Sequence, residues 1–133
     1  MKVDGRCHCG EITYEAIVDP ATVSICHCSD CQMLTGTVYR AGVPAPADTF
    51  VLKTGRPKVY VKTAESGVKR AHSFCPNCGT PVHSAAVSDP QRYSLRVGCL
   101  RQRAELLPVK QQWCDSALRW AMDLTGIPQV RRQ

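Results

Sequence analysis

Seven of the nine cysteines in this 133-residue chain fall into three short clusters. The clusters are two pairs and one triplet: Cys7 and Cys9; Cys75 and Cys78; and Cys26, Cys28 and Cys31. A structural zinc takes four protein ligands, whereas a catalytic zinc takes three and keeps one position open for chemistry. Because the two pairs supply four thiolates and the triplet supplies three, the spacing predicts one structural and one reactive Zn²⁺.

The second pair lies in a CxxC turn that is similar to half of a zinc knuckle, with Gly79 free to take a positive φ. Cys7 and Cys9 are the obvious source of the other two ligands. On an extended strand, residues two apart share a face, so both sulfurs can meet one ion while His8 points away. The alternative is that either pair is redox-active.

The triplet leaves a fourth zinc position for water, a substrate thiol or a carbonyl oxygen. Two alternatives stay open for it. It is a second structural site, completed by His27, by Cys99 or Cys114, or by another histidine, or it is a metal-free redox cluster. His27 itself is expected to be a core or supporting residue, and Cys99 and Cys114 are expected to be buried thiols that fill core space.

Charge and composition limit the classes of partner that we expect for this chain. The formal charge is +6; seven thiolates with two Zn²⁺ carry −3, which leaves about +3. This is a weak electrostatic signal for nucleic acid, which is therefore not an expected partner. No apolar run approaches the ~18 residues of a membrane span, and the chain reaches its first cysteines without an apolar leader. We expect a cytoplasmic protein, in which cysteines bind metal rather than form disulfides.

The elements that must position the cysteines read as short strands. Apolar residues alternate through residues 12–18, 68–74 and 93–97, and glycine and proline interrupt the pattern at short intervals. This period of two predicts a single mostly β domain over residues 1–133, built from short antiparallel sheets. Only Asp115 to Leu124 has a helical pattern, so one short C-terminal helix is expected, with Gly126 and Pro128 after its end.

The order of the motifs resembles the glutathione-dependent formaldehyde-activating enzyme family, which also contains the centromere protein V group. The matching segments span nearly the whole chain: GRCHCG (5–10), CHCSDC (26–31), FCPNCGT (74–80), WCDSALRW (113–120) and GIP (126–128). The resemblance implies a tent-like β fold held together by zinc. It also implies a structural zinc on Cys7, Cys9, Cys75 and Cys78, and a catalytic zinc on Cys26, Cys28 and Cys31.

The function implied by the resemblance is that of a zinc-dependent carbon–sulfur lyase. In the founding activity, glutathione adds to formaldehyde to give S-hydroxymethylglutathione, which is the lyase reaction run in reverse. Arg40, Lys69 or Arg70 are candidates to hold the carboxylates of a small-molecule thiol such as glutathione. At three positions, His72, Arg101 and Gln111, this chain lacks the residue that is common in the family. These differences bear on which substrate is bound and leave the metal ligands unchanged.

Two other functions stay open. In the first, the chain is a non-catalytic double-zinc module that contacts nucleic acid or protein. Its best candidate contact surface is then the basic patch of Lys53, Arg56, Lys58, Tyr60 and Lys62. A third hypothesis is a redox or metal-buffering protein whose triplet thiols exchange metal or oxidise. Salt-dependent binding of nucleic acid favours the double-zinc module. A labile second metal, in a protein that turns over no thiol adduct, favours the redox or metal-buffering hypothesis.

Overall fold

Ten short strands and one α-helix make up most of the structure, a computed structural model that describes residues 1–133. The strands are β1 (Lys2–Arg6), β2 (Thr13–Ile17), β3 (Ser24–Cys26), β4 (Arg40–Pro46), β5 (Val51–Thr54), β6 (Lys58–Thr63), β7 (Lys69–Phe74), β8 (Pro81–Ala86), β9 (Arg92–Arg96) and β10 (Lys110–Gln112). The helix α1 spans Ser29–Thr35. Single turns of 3₁₀-helix occupy Pro20–Thr22, Ala47–Thr49, Val97–Cys99, Cys114–Ser116 and Arg119–Met122.

The strands form two sheets. The smaller sheet has the order β1-β2-β5, and the larger has the order β10-β3-β4-β9-β8-β7-β6. All pairs are antiparallel except β10 with β3, which is parallel. The predicted mostly β fold of antiparallel sheets is therefore confirmed.

The hydrophobic core contains inward residues of both sheets. Tyr14 and Ala16 on β2 belong to the same buried cluster as Val43 on β4 and Leu95 on β9. The predicted alternation of β2 is confirmed, because its inward residues are at most 2% exposed. Burial of such side chains contributes about 1.5–3 kcal/mol each, which keeps the register of the strands fixed.

The opposite face of the larger sheet is polar and carries several charged side chains. Residues that pair directly across neighbouring strands share a face. Cys26 pairs with Arg40, Gly42 with Arg96, Ser94 with Ser84, Ser84 with His72, His72 with Tyr60, and Arg70 with Lys62. The pairing thus gathers one cysteine of the triplet and four cations on one side of the sheet.

Helix α1 lies against this polar face. Asp30 in its first turn forms an ion pair with Lys62 on β6, and Leu34 shares a cleft with residues of β6, β7 and β9. The helix begins at a cap formed by Cys28, whose sulfur accepts a hydrogen bond from the backbone N–H of Cys31 at 3.3 Å. The helix therefore carries the third thiol of the triplet onto the sheet.

The prediction of a C-terminal helix over Asp115 to Leu124 is wrong. This segment forms two separate 3₁₀ turns, Cys114–Ser116 and Arg119–Met122, with extended backbone at Ala117 and Leu118 between them. Of the side chains expected to face inward, Leu118 and Met122 are exposed and only the two alanines are half-buried. Because no core surface faces this segment along its whole length, its helical pattern has nothing to pack against.

No helix of the structure is both long enough and apolar enough to cross a membrane.

Candidate metal centres and the cleft beside them

The four cysteines of the two pairs meet at one point, with all four sulfurs within 4.8 Å of one another. The sulfur of Cys9 lies 3.5 Å from that of Cys7 and 3.7 Å from that of Cys75. A disulfide bond needs about 2.05 Å, whereas tetrahedral ligation with Zn–S bonds of about 2.3 Å separates the sulfurs by about 3.8 Å. This donor set therefore fits a tetrahedral metal ion, and no disulfide joins any of the cysteines.

Tight turns on each side hold the two pairs. Cys7 follows β1 directly, and its sulfur accepts a hydrogen bond from the backbone N–H of Ile12 at 3.3 Å. The expectation that Cys7 and Cys9 lie on an extended strand is wrong, because residues 8–10 form a turn. His8 is exposed in that turn, so it does point away from the cluster as predicted.

The CxxC turn closes with a hydrogen bond of 2.8 Å from the Gly79 N–H to the Cys75 carbonyl, and Gly79 has a φ of 75° as its sequence position predicts. Thr80 joins the two halves of the cluster: its hydroxyl accepts from the backbone of His8 at 3.1 Å and contacts the Cys78 sulfur at 3.1 Å. The hydrogen bond with Thr80 is the largest of the effects that lower the pKa of Cys78 to about 5. This thiol is therefore readily ionised for metal binding.

Two thiols of the four-thiol cluster lie in the hydrophobic core. Cys7 and Cys75 are 0% exposed and belong to the main buried cluster. A metal ion here would join the start of the chain to the turn between β7 and β8, across the interface of the two sheets. Binding at such a position is coupled to folding, because the unfolded chain does not hold the ligands together.

The triplet forms a second cluster with a different design. Cys26 ends β3, Cys28 caps α1 and Cys31 lies in its first turn, and the three sulfurs are within 4.8 Å of one another. His27, Cys99 and Cys114, the candidates for a fourth ligand, all lie outside this group. Three thiols without a fourth protein donor match the ligand count of a site with an open position.

The thiols of the triplet differ in their tendency to ionise. Burial raises the pKa of Cys31 to about 12, although the positive charge of Arg40 opposes this shift. Burial also acts on Cys28, but hydrogen bonds from the backbone and thiol of Cys31 outweigh it, and the pKa of Cys28 falls below its ordinary value. Cys28 therefore ionises more readily than Cys31.

His27, which lies between two cysteines of the triplet in the sequence, has a buried side chain. It is 1% exposed, its Nε2 lies 2.8 Å from Oε1 of Gln111, and its ring meets that of Tyr39 edge to face. The ring lines a cleft of about 510 Å³ between β3, β10 and the C-terminal segment. This location confirms the prediction of a core histidine.

Two adjoining clefts open beside the triplet on the polar face of the larger sheet. One, of about 390 Å³, is lined by Leu34, Tyr60 and His72 among others. The second, of about 340 Å³, includes Thr35 and Arg40. Arg96 and Pro81 line both clefts. Leu34 and Thr35 lie one turn after Cys31 on α1, so both clefts reach the helix that carries Cys31, although no thiol of the triplet lines either of them.

Arg96 lines both clefts, and its role was not predicted from the sequence. Its side chain is 7% exposed, and Nη2 lies 3.3 Å from Nδ1 of His72. The only signal in the sequence is a charged residue between Leu95 and Val97, on the other face of an apolar strand. Of the predicted carboxylate-binding residues, the structure brings Arg40 to the clefts but leaves Lys69 and Arg70 outside their lining.

The three positions that differ from common family residues all make side-chain contacts: Gln111 with His27, His72 with Arg96 and Arg101 with Asp4.

The basic patch proposed for nucleic acid is less positive than its sequence suggests, because Lys62 pairs with Asp30 and Lys53 with Glu15. The prediction that Cys114 is buried is wrong, since it is exposed, and Cys99 is half-buried with its thiol directed at the Pro81 carbonyl.

Taken together, the fold and the site define a class: a mostly β protein with two thiol clusters of metal-binding geometry and a cationic cleft beside one of them. The chain belongs to the family of glutathione-dependent formaldehyde-activating enzymes, whose family model matches residues 2–116. Among solved structures it is similar to a Rhodobacter sphaeroides protein solved as a structural genomics target, with 25% sequence identity and a TM-score of 0.63. That match covers 84% of this chain and 100% of the other.

Proposed function

We propose that this protein is a zinc-dependent carbon–sulfur lyase that acts on a thiol adduct such as S-hydroxymethylglutathione. The observation that carries the proposal is the contrast between the two clusters. Four thiols gathered at one point suit a structural ion, whereas three thiols without a fourth protein donor suit a reactive one. Membership of a family named for glutathione and formaldehyde supports the choice of substrate.

The reaction breaks the bond between sulfur and the hydroxymethyl carbon. The hydroxyl proton leaves, a carbonyl forms, and the sulfur departs with the bonding electrons before it is protonated. A zinc ion bound by Cys26, Cys28 and Cys31 would supply Lewis acidity that stabilises the thiolate or polarises the carbonyl oxygen. The same residues serve the reverse reaction, in which glutathione adds to formaldehyde.

The protein's own side chains favour negative charge at this place. The positive charges of Lys62 and Arg40 favour ionisation of the triplet thiols, Lys62 acting on Cys28 and Arg40 on Cys31. A thiolate that develops during cleavage of the adduct is therefore stabilised by fixed charges, which need no reorganisation in the transition state.

The test is the zinc content per chain of the wild type and of Cys28→Ser, with glutathione titrated into each. We expect two zincs in the wild type and one in the variant, and a response to glutathione in the wild type only. Formation of S-hydroxymethylglutathione from glutathione and formaldehyde is then followed by nuclear magnetic resonance. Cys114→Ser is the matched control, because Cys114 is exposed and outside both clusters.

Two tightly bound zincs that do not respond to thiols would contradict the proposal, since both sites would then be structural. In that case the binding-module hypothesis is the next to test, by measuring nucleic-acid binding at low salt.

A further inference from the structure

Arg96 is a buried cation without an anionic partner. Its guanidinium donates to the carbonyl of Ser94 at 3.4 Å and lies 3.3 Å from Nδ1 of His72, while its Nε has no hydrogen-bond partner. None of the ion pairs in the structure includes it. Buried charges in proteins are ordinarily paired, because an unpaired charge loses its hydration without compensation.

A second guanidinium lies beside it. Arg40 has a buried Nε that also lacks a partner, and it enters no ion pair. The two arginines share a face of the larger sheet, and Gly42, directly opposite Arg96, separates them. A β-carbon on Gly42 would lie 3.8 Å from Nε of Arg40 and 3.1 Å from the hydroxyl of Ser94, so the missing side chain leaves space beside the Arg40 guanidinium.

Nothing else on this face balances the two charges. Burial lowers the pKa of His72 to about 4, with Arg96 adding to the shift, so the imidazole is neutral at pH 7. The nearby carboxylate, Asp30, is already paired with Lys62. A zinc ion with three thiolates carries one negative charge, which is less than the two positive charges of the arginines.

We propose that Arg40 and Arg96 form a carboxylate-binding subsite, which holds a carboxylate of the thiol substrate while its sulfur reaches the triplet. Guanidinium groups suit this role because their donors match the oxygens of a carboxylate. The clefts that Arg96 lines have volumes of about 390 and 340 Å³, within the range of small-molecule sites. The inference rests on the proposed function for the identity of the thiol.

The test compares the binding of three thiols to the zinc-loaded protein by calorimetry. Glutathione has two free carboxylates, glutathione diethyl ester has none, and 2-mercaptoethanol is a thiol without any carboxylate. We expect glutathione to bind about 10- to 100-fold more tightly than its diester, as charge-assisted hydrogen bonds predict. Arg96→Gln should abolish this preference and leave the affinity for 2-mercaptoethanol unchanged.

Matched variants separate a local contact from a general charge effect. Arg56→Gln removes the same charge from an exposed position between β5 and β6 and should keep the full preference. Arg40→Gln should reduce the preference for glutathione over its diester as Arg96→Gln does. If Arg96→Gln prevents folding because Arg96 is buried, Arg40→Gln tests the subsite alone. An equal affinity of the wild type for glutathione and its diester would overturn the subsite, as would a preference that survives both substitutions.

The outcomes also distinguish this inference from the proposed function. A carboxylate preference without conversion of S-hydroxymethylglutathione keeps the subsite and removes the lyase. Conversion without the preference keeps the lyase and removes the subsite.

Discussion

Lys62 on β6 pairs with Asp30 in the first turn of α1, with Nζ and Oδ2 2.6 Å apart. The pair connects the outermost strand of the larger sheet to the helix that carries Cys31. The carboxylate of Asp30 raises the pKa of Lys62, whose charge in turn lies near the thiols of Cys28 and Cys31. One contact therefore links the helix to the sheet and places a positive charge near the triplet.

We expect Lys62→Met to release zinc from the triplet faster than the wild type does, with little change in the stability of the fold. The side chains of the pair are 24% and 53% exposed, so solvent screens the interaction and its contribution to stability stays below about 1 kcal/mol. The loss of a positive charge near the thiolates weakens metal retention more directly. Zinc release to a chelator should show a faster first phase in the variant.

The control for this experiment is Lys58→Met. Lys58 lies on the same strand and the same face as Lys62 but forms no ion pair. If both variants release zinc at the same rate, the effect comes from general charge and the Lys62–Asp30 pair has no special role.

The two clusters should respond differently to loss of a thiol. Cys75 is 0% exposed and helps to join the two sheets, so Cys75→Ser should prevent stable folding, because structural metal binding contributes directly to folding. Cys28 is half-buried at the cap of α1, and Cys28→Ser should leave a cooperatively folded protein with one zinc. Circular dichroism during thermal unfolding measures both, and an equal loss of folding in the two variants would contradict the division into structural and reactive sites.

The cysteine clusters could be predicted from the sequence because ligand spacing is local. Cys75 and Cys78 lie in one turn, and Cys26, Cys28 and Cys31 lie within six residues. The alternation around Tyr14 is similarly local, since one residue in two is buried along β2. The placement of Arg96 opposite Gly42 depends instead on the register of β4 against β9, which residues far apart in the chain decide together.

Strand β4 was not predicted, because Pro44 and Pro46 interrupt its pattern. Both prolines lie where β4 pairs with β9 alone, since β3 pairs only with residues 40–42. At such a position the strand has one free edge, and a missing N–H is tolerated there. The C-terminal helix was predicted wrongly for a different reason. The local sequence has a helical pattern, but the fold offers no surface that could bury the apolar side of such a helix.

The acid stability of the protein should depend on His83. Burial lowers the pKa of this histidine from 6.5 to about 4, and Arg96 adds to the shift. Below about pH 6.5 the unfolded chain binds a proton at this position that the folded protein does not accept until about pH 4. The contribution of neutral His83 to stability is therefore complete above pH 6.5 and is lost as the pH falls to about 4.

Replacement by phenylalanine removes this titration and keeps an aromatic ring in contact with Phe50 and Tyr93, since the ring centroids of these two residues lie 5.1 and 4.8 Å from that of His83. Between pH 6.5 and 4, the unfolding free energy of the wild type should fall by ~3 kcal/mol more than that of His83→Phe. Denaturant unfolding at each pH measures the difference, with zinc content followed because protons compete for thiolates in both proteins. Parallel pH profiles would exclude a role for His83.

Gly5 determines how closely β1 approaches β2. It pairs with Tyr14, and a β-carbon at Gly5 would overlap the ring of that tyrosine, which is 1% exposed. Gly5→Ala must displace the ring from its place against Phe50, so we expect a loss of about 1–3 kcal/mol and a Tm lower by roughly 5 to 10 °C. Gly126→Ala, where a β-carbon meets no atom within 4 Å, should leave the Tm unchanged. Equal Tm values for the two variants would mean that the ring of Tyr14 moves without cost, and would contradict a role for Gly5 in the packing of β1 against β2.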